Sequence, residues 1–159
     1  MHSIRVLDPN PTTGFLLWRL SMRWRVLVDR ALADLGLTHA QYVVLGPLYA
    51  MNRRDQQPSQ RELADYAGME AIYVSKLVRS LEQAGLLERT THPDDTRAVQ
   101  LRLTAEGMTV AEQTIEVAGD ILERLLLPLG GSSGRQTIQF TEALKTLLSA
   151  PEPRIEASR

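Results

Sequence analysis

Apolar residues recur every three or four positions along most of the chain, and this spacing predicts six helices. The predicted helices cover residues 12–35, 38–51, 59–67, 71–84, 104–127 and 135–149. Pro47 lies inside the second of these, where it predicts a kink or a weak point. Residues 1–11 are predicted to form a frayed lead-in, and residues 52–58 a linker. The pattern therefore predicts a mainly α-helical chain.

The third and fourth predicted helices are short and close together in the sequence. Ser59 and Glu62 form an S-x-x-E capping box that marks the start of the third helix, and Gly68 marks its end. An apolar stripe then runs along the fourth helix until Gly85 ends it: Val74, Leu77, Val78 and Leu81. Two short helices joined by a tight turn predict a helix-turn-helix, whose second helix usually enters the major groove of DNA.

The segment THPDDTRAVQLRLTAEG, residues 91–107, predicts a β-hairpin directly after the fourth helix. Val99, Leu101 and Leu103 alternate with polar residues, as in a half-buried strand. The polar tip between the strands carries two acids and a base: Asp94, Asp95 and Arg97. The predicted fold is therefore mainly α with a small β-hairpin, a winged helix-turn-helix flanked by long helices.

The side chains of the fourth helix that lie off the apolar stripe form a predicted contact surface for DNA. Lys76 can donate to guanine edges or phosphate, Tyr73 can contact phosphate or a thymine methyl group, and Ser75 can bind phosphate. The start of the third helix adds further donors. The predicted contacts from these two helices are Ser59, Gln60, Ala71, Tyr73, Ser75, Lys76, Arg79 and Ser80.

Net charge does not favour this interpretation. The chain has a formal charge of -1, so the basic surplus typical of nucleic-acid binders is absent. Residues 53–103 hold eight bases and eight acids. DNA binding must then depend on where the charges lie. The balance keeps a second hypothesis open, in which the winged helix is a protein-interaction module without sequence-specific DNA binding.

Catalytic and metal-binding chemistry has little support in the sequence. The chain has no cysteine, and its three histidines are scattered without metal-ligand spacing. The glycine-rich GGSSG at 130–134 lacks the lysine and the preceding strand of a phosphate loop. No stretch approaches the roughly 18 apolar residues of a membrane span. We therefore predict no enzyme activity, no metal, no cofactor and no membrane partner.

Three segments resemble the MarR-type regulators of bacteria and archaea: SQRELADYAGM, VSKLVRSLEQAGLLER and, above all, DDTRAVQLRLTAEG. The resemblance runs from about residue 38 to residue 107, and the long flanking helices fit it. It implies a cytoplasmic, nucleoid-associated homodimer whose terminal helices interlock. It also implies a repressor that binds a palindromic operator in double-stranded DNA and is released by a small aromatic or anionic effector.

The resemblance also implies roles for the hairpin tip. Arg97 is expected to reach the minor groove or its phosphates, since arginine suits a narrow and electronegative groove. Asp95 is expected to hold the tip in shape by bonding the turn amides or by pairing with Arg97 or Arg79, and Asp94 is expected only to be solvated. Family members usually have Ser or Thr where this chain has Glu70, a carboxylate that can cap a helix but repels phosphate.

Four segments follow from the predicted elements. Residues 1–37 are assigned to an N-terminal dimerisation helix, 38–103 to the DNA-binding domain, 104–150 to C-terminal dimerisation helices and 151–159 to a flexible tail. In the resembled family a cleft between the dimerisation helices and the DNA-binding domain accepts ligands. Its predicted lining is Trp18, Arg19, Met22 and Tyr42, although such residues at helical spacing are more often core or dimer interface.

Overall fold

The computed structural model describes residues 11–92, 94–95 and 99–153. Within these residues the chain forms six α-helices and a two-stranded antiparallel sheet, which confirms the predicted fold class. The helices and strands are α1 Thr13–Ala31, α2 His39–Asn52, α3 Gln60–Ala67, α4 Ala71–Gln83, β1 Leu87–Thr91, β2 Val99–Leu103, α5 Ala105–Leu126 and α6 Arg135–Ser149. Among the described residues, no helix is both long and apolar enough to cross a membrane.

The first helix is shorter than its apolar spacing predicts. It ends at Ala31, and a short 3-10 helix, Ala33–Leu35, follows before Gly36 turns the chain with a φ of +66°. A left-handed residue at this point favours glycine because a side chain there would be strained. The second helix, by contrast, continues through Pro47 to Asn52, so the proline does not end it.

Paired hydrogen bonds mark the start of α3. The Ser59 hydroxyl accepts the Glu62 N–H at 3.2 Å, and a Glu62 carboxylate oxygen accepts the Ser59 N–H at 2.7 Å. This confirms the predicted capping box, which satisfies two backbone donors that a helix start would otherwise leave unpaired. Thr38 and Gln41 form the same arrangement at the start of α2.

The chain divides into two compact units, one ending at Gly119 and one starting at Asp120. The first unit holds a hydrophobic core to which α1 contributes the buried Val28 and the half-buried Trp24, with Leu32 just beyond the helix. The fully buried members of this core from α2 to β2 include Val44, Leu45, Leu48, Leu63, Val74, Val78, Leu81 and Leu101. The unit boundary falls inside α5, and the four-segment division stays a prediction.

The hairpin is tied to the elements that precede it. Leu87 pairs with Leu103 at its base and Thr91 with Val99 toward its tip. The Leu101 N–H donates to the Pro58 carbonyl at 2.8 Å, just before α3. The Asn52 side-chain oxygen, at the end of α2, accepts the Leu103 N–H at 2.7 Å. These bonds fix the direction of β2 relative to α2 and α3.

The start of α5 is bonded to the end of α4. The Thr104 N–H donates to the Leu86 carbonyl at 3.1 Å, and its hydroxyl donates to the Gly85 carbonyl at 2.7 Å. The same hydroxyl oxygen accepts the Gly107 N–H at 2.9 Å, as a helix cap does. Gly107 is buried directly against the Leu86 carbonyl, and a Cβ there would overlap that oxygen.

We expect Gly107→Ala to destabilise the protein by about 1–3 kcal/mol, the usual cost of overpacking a close contact. Its matched control is Gly119→Ala, also on α5, where a Cβ meets no atom within 4 Å. That change is expected to stabilise by up to about 1 kcal/mol because alanine favours the helix. Urea unfolding of both variants measures the difference. Equal stabilities for the two variants would contradict the packing of α5 on Leu86.

Candidate nucleic-acid interface

Helix α4 buries one face and exposes the other. Val74, Val78 and Leu81 are fully buried, as the apolar stripe predicts. Five of the predicted contact residues on this helix are exposed, and Ser75 is half-buried. The exposed ones are Ala71, Tyr73, Lys76, Arg79 and Ser80. The helix therefore presents a mixed polar and cationic surface on the side opposite the core.

The acid of α4 pairs with a base of the hairpin and not with the exposed cations of its own helix. Glu82 forms an ion pair with Arg89 of β1, with 2.6 Å between carboxylate and guanidinium. Among the described residues, neither Lys76 nor Arg79 takes part in an ion pair. Residues 53–103 are formally neutral, yet the exposed side of α4 carries two cations that form no ion pair with the described residues.

A hydrogen bond fixes the outer side of α4 to α2. The Gln41 side-chain amide donates to the Ser80 hydroxyl at 3.1 Å. Gln41 also belongs to the capping box of α2, where its side-chain oxygen accepts the Thr38 N–H. Both polar atoms of its side-chain amide are therefore hydrogen-bonded. Ser80 therefore positions α4 as well as lying on its exposed face.

The two predicted contacts at the start of α3 are half-buried. Ser59 bonds Glu62, and the hydrogen bonds from its backbone N–H and its hydroxyl lower the pKa of the Glu62 carboxyl. The carboxylate form is therefore the one that holds the cap. Gln60 directs its side-chain oxygen into the protein, where it is buried without a hydrogen-bond partner among the described residues.

Glu70 stands immediately before α4 and is exposed. Its carboxylate makes no capping hydrogen bond to the helix, although the sequence left that role open. The start of α4 is thus uncapped by a side chain, and its amides remain available to solvent or to an anion.

The hairpin tip is only partly described. Asp94 is exposed, and its N–H donates to the His92 ring nitrogen Nδ1 at 3.1 Å. Asp95 is exposed as well. Arg97 lies outside the described residues, so its predicted role in the minor groove and its pairing with Asp95 stay predictions.

One exposed residue of α4 was missed by the sequence interpretation. Ile72 is 72% exposed, although isoleucine is among the residues most often buried. The sequence could have predicted this exposure, because Ile72 lies two residues before Val74 of the apolar stripe and hence on the opposite side of the helix.

A first cavity, of about 580 Å³, lies beside α2 and has a mainly apolar lining. Its walls include Tyr42 and Tyr49 from α2, Tyr66 from α3 and Ile115 from α5. Burial raises the pKa of the Tyr42 hydroxyl, so this phenol stays neutral at physiological pH. The size and lining of this cavity suit a small aromatic molecule.

A second cavity, of about 510 Å³, is more polar and includes Tyr73 of α4. Arg25, Asp29 and His39 also line it. The His39 backbone N–H donates to the Asp29 carboxylate at 2.6 Å. Burial lowers the pKa of the His39 ring more than the Asp29 carboxylate raises it, and Arg25 adds to the lowering. The His39 ring therefore loses its proton at a lower pH than a free histidine ring does, because its pKa is lowered.

The predicted ligand residues are not brought together in these cavities. Tyr42 lines the first cavity, but Trp18, Arg19 and Met22 line neither. All three are exposed on α1, where the Arg19 guanidinium lies 5.9 Å from the centre of the Phe15 ring. Their assignment to a ligand cleft stays a prediction. Among the described residues, no group of three or more His, Asp or Glu side chains is arranged to hold a metal ion.

Comparison with known proteins places this fold in a family. The MarR family model matches residues 35–98. The HTH-type transcriptional regulator YdcH of Bacillus subtilis, itself uncharacterized, is 39% identical over 99 residues, which cover 62% of this chain and 67% of that protein.

Solved structures agree along almost the whole chain. The S. aureus MepR–DNA complex superposes with a TM-score of 0.78 at 26% identity, covering 88% of this chain and 98% of that one. A cysteine-to-serine mutant of MarR from E. coli, complexed with operator DNA, gives a TM-score of 0.73 at 24% identity, covering 85% and 92%. The chain therefore belongs to the MarR family of winged helix-turn-helix transcriptional regulators.

Proposed function

We propose that the protein is a homodimeric repressor that binds a palindromic operator in double-stranded DNA and is released by a small aromatic or anionic effector. It acts in the cytoplasm, at the nucleoid, and as a regulator rather than an enzyme. The observation that carries the proposal is the exposed face of α4, with Lys76 and Arg79 opposite the core. In this fold the second helix of the pair enters the major groove.

The placement of charge supports DNA over a protein partner. Phosphate contacts supply most of the affinity for DNA, so cations without a local counter-charge matter more than the net charge of the chain. Among the described residues Lys76 and Arg79 form no ion pair, while Glu82 is paired with Arg89. The similar S. aureus MepR structure contains DNA, which supports the same partner here.

Exposed apolar side chains support the homodimer. The first half of α1 exposes Phe15, Leu16 and Trp18, and α6 exposes Leu147 and Leu148. Soluble monomers rarely leave large contiguous apolar surfaces open to water. A second copy of the chain, which brings the same surfaces, is the partner that the family resemblance implies.

The cavity at Tyr42 supports the effector. It is lined by α2, α3 and α5, so a molecule inside it contacts both helices that precede α4 and the long helix that follows the hairpin. A ligand shifts an equilibrium only if it binds one arrangement better than the other. An aromatic molecule that separates α5 from α2 would favour one arrangement over the other by changing the direction of the hairpin base.

Selection from random-sequence duplexes tests the proposal as a whole. We expect an enriched sequence with twofold symmetry and half-sites centred about one helical turn, roughly 34–36 Å, apart. Footprints on this duplex, repeated with a panel of phenols and aromatic acids, should weaken with at least one compound. Recovery of no preferred sequence would favour the protein-interaction hypothesis instead.

Salt dependence of binding tests the individual cations. Arg97→Ala and Lys76→Ala are each expected to weaken binding and to reduce the slope of log K against log salt by about one, since each removes one phosphate contact. Lys145→Ala is the control, because this exposed cation lies on α6 and pairs with Glu142. A slope unchanged by Arg97→Ala would exclude the phosphate or minor-groove role of that residue.

Leu147→Glu combined with Leu148→Glu tests the dimer. Both side chains are exposed on α6, so the two charges should leave the fold intact and prevent burial against a second copy. Light scattering is expected to give the mass of a dimer for the wild type and of a monomer for the variant. Gln139→Glu, an exposed polar position of the same helix, should remain a dimer. A dimeric double variant would show that α6 is not in the interface.

A further inference from the structure

Among the large aliphatic side chains of α4 in the described structure, Ile72 alone is exposed. It is 72% exposed, whereas the apolar stripe of the same helix is buried. Because this isoleucine side chain is not buried in the core, its presence has to be explained by its position or by a contact with another molecule.

Helix geometry puts Ile72 at the centre of the exposed face. At about 100° per residue, it lies about 170° from the mean direction of the four buried side chains. Lys76 and Arg79 follow at i+4 and i+7, so they share this face on successive turns. The exposed face thus carries an isoleucine in its first turn and cations in the next two.

The first turn is where base contacts are made. In helix-turn-helix proteins the N-terminal residues of the second helix meet base edges, while contacts to phosphate set its position. Side chains of a helix also lean toward its N-terminus, which carries Ile72 further in this direction. Glu70, the acid nearest to Ile72 along the chain, precedes the helix as its N-cap and is not among the residues of the exposed face.

Thymine offers the matching chemistry. Its C5 methyl group is the apolar feature of the major groove, where the other base edges present hydrogen-bond donors and acceptors. An aliphatic side chain has no hydrogen bond to offer and so gains only against that methyl group. The cations on the same face complement the phosphates that flank it.

We propose that Ile72 is a specificity-determining residue that selects a thymine in each half-site by packing on its methyl group. This assignment rests on the proposed DNA-binding function. It adds to that function an apolar contact, so that specificity at one base pair depends on a single methyl group and not on a hydrogen bond.

The test uses the full-length protein and the duplex recovered from random-sequence selection. Each thymine of a half-site is replaced in turn by uracil, with the symmetric position changed as well, and binding is measured for wild type, Ile72→Ala and Ile72→Val. At one position uracil is expected to weaken wild-type binding about fourfold per half-site, the equivalent of burying one methyl group. The same uracil should have no effect on Ile72→Ala and an intermediate effect on Ile72→Val.

Replacing that thymine by 5-bromouracil should restore wild-type binding, because bromine is close to a methyl group in size. The salt slope should stay the same in Ile72→Ala, since no phosphate contact is lost. Circular dichroism and urea unfolding should be unchanged, because the side chain is exposed.

Three results would overturn the proposal: a half-site without thymine, wild-type binding that tolerates uracil at every position, or a uracil penalty that persists in Ile72→Ala and disappears in Tyr73→Ala. Each leaves the DNA-binding function standing. A selection that recovers no sequence would overturn the proposed function itself, so the two failures are distinguishable.

Discussion

The winged helix-turn-helix depends on the joint between Thr104 and the Gly85–Leu86 turn. Three hydrogen bonds and one close backbone contact meet there, and they join the end of α4, the base of the hairpin and the start of α5. Gly107 has to lack a side chain for this approach, because its Cα lies against the Leu86 carbonyl. Since β2 passes directly into α5 at Thr104, a change in the direction of α5 acts at once on the base of the hairpin. The joint is thus the physical basis on which the proposed effector, bound beside α5, would act on the surface of α4.

The effect of charge on DNA binding depends in this chain on where the charged side chains lie. A net charge of -1 gives no long-range attraction to a polyanion. Glu82, the acid within α4, is paired with Arg89, and Glu62 is held in the capping box of α3. Lys76 and Arg79 lie opposite the core without such partners among the described residues. A chain with a net charge of -1 can therefore present a cationic surface, and affinity for DNA would be governed by a few short-range contacts.

Exposed apolar side chains occur in two settings with different consequences. On the first half of α1 and on α6 they form faces that a second copy can cover, which is typical of dimerisation helices. On α4 a single exposed isoleucine shares its face with two cations, Lys76 and Arg79, and the proposed partner of that face is DNA. Helical periodicity alone does not separate these settings, because it reports which residues share a face and says nothing of what covers that face.

The sequence by itself determined the elements and their order: the capping box of α3, the stripe of α4 and the alternation of β2 are local patterns, each formed by residues close together in the chain. It also indicated the exposed cations, since the stripe leaves Lys76 and Arg79 on the other side. Only the tertiary structure decided what depends on distant residues. The Asn52–Leu103 and Thr104–Gly85 bonds and the cavity at Tyr42 join positions far apart in the chain, and the pairing of Glu82 with Arg89 joins α4 to β1. Burial was decided there as well, because Phe15 and Val28 lie on one helix with similar apolar character, yet only Val28 has a core to pack against.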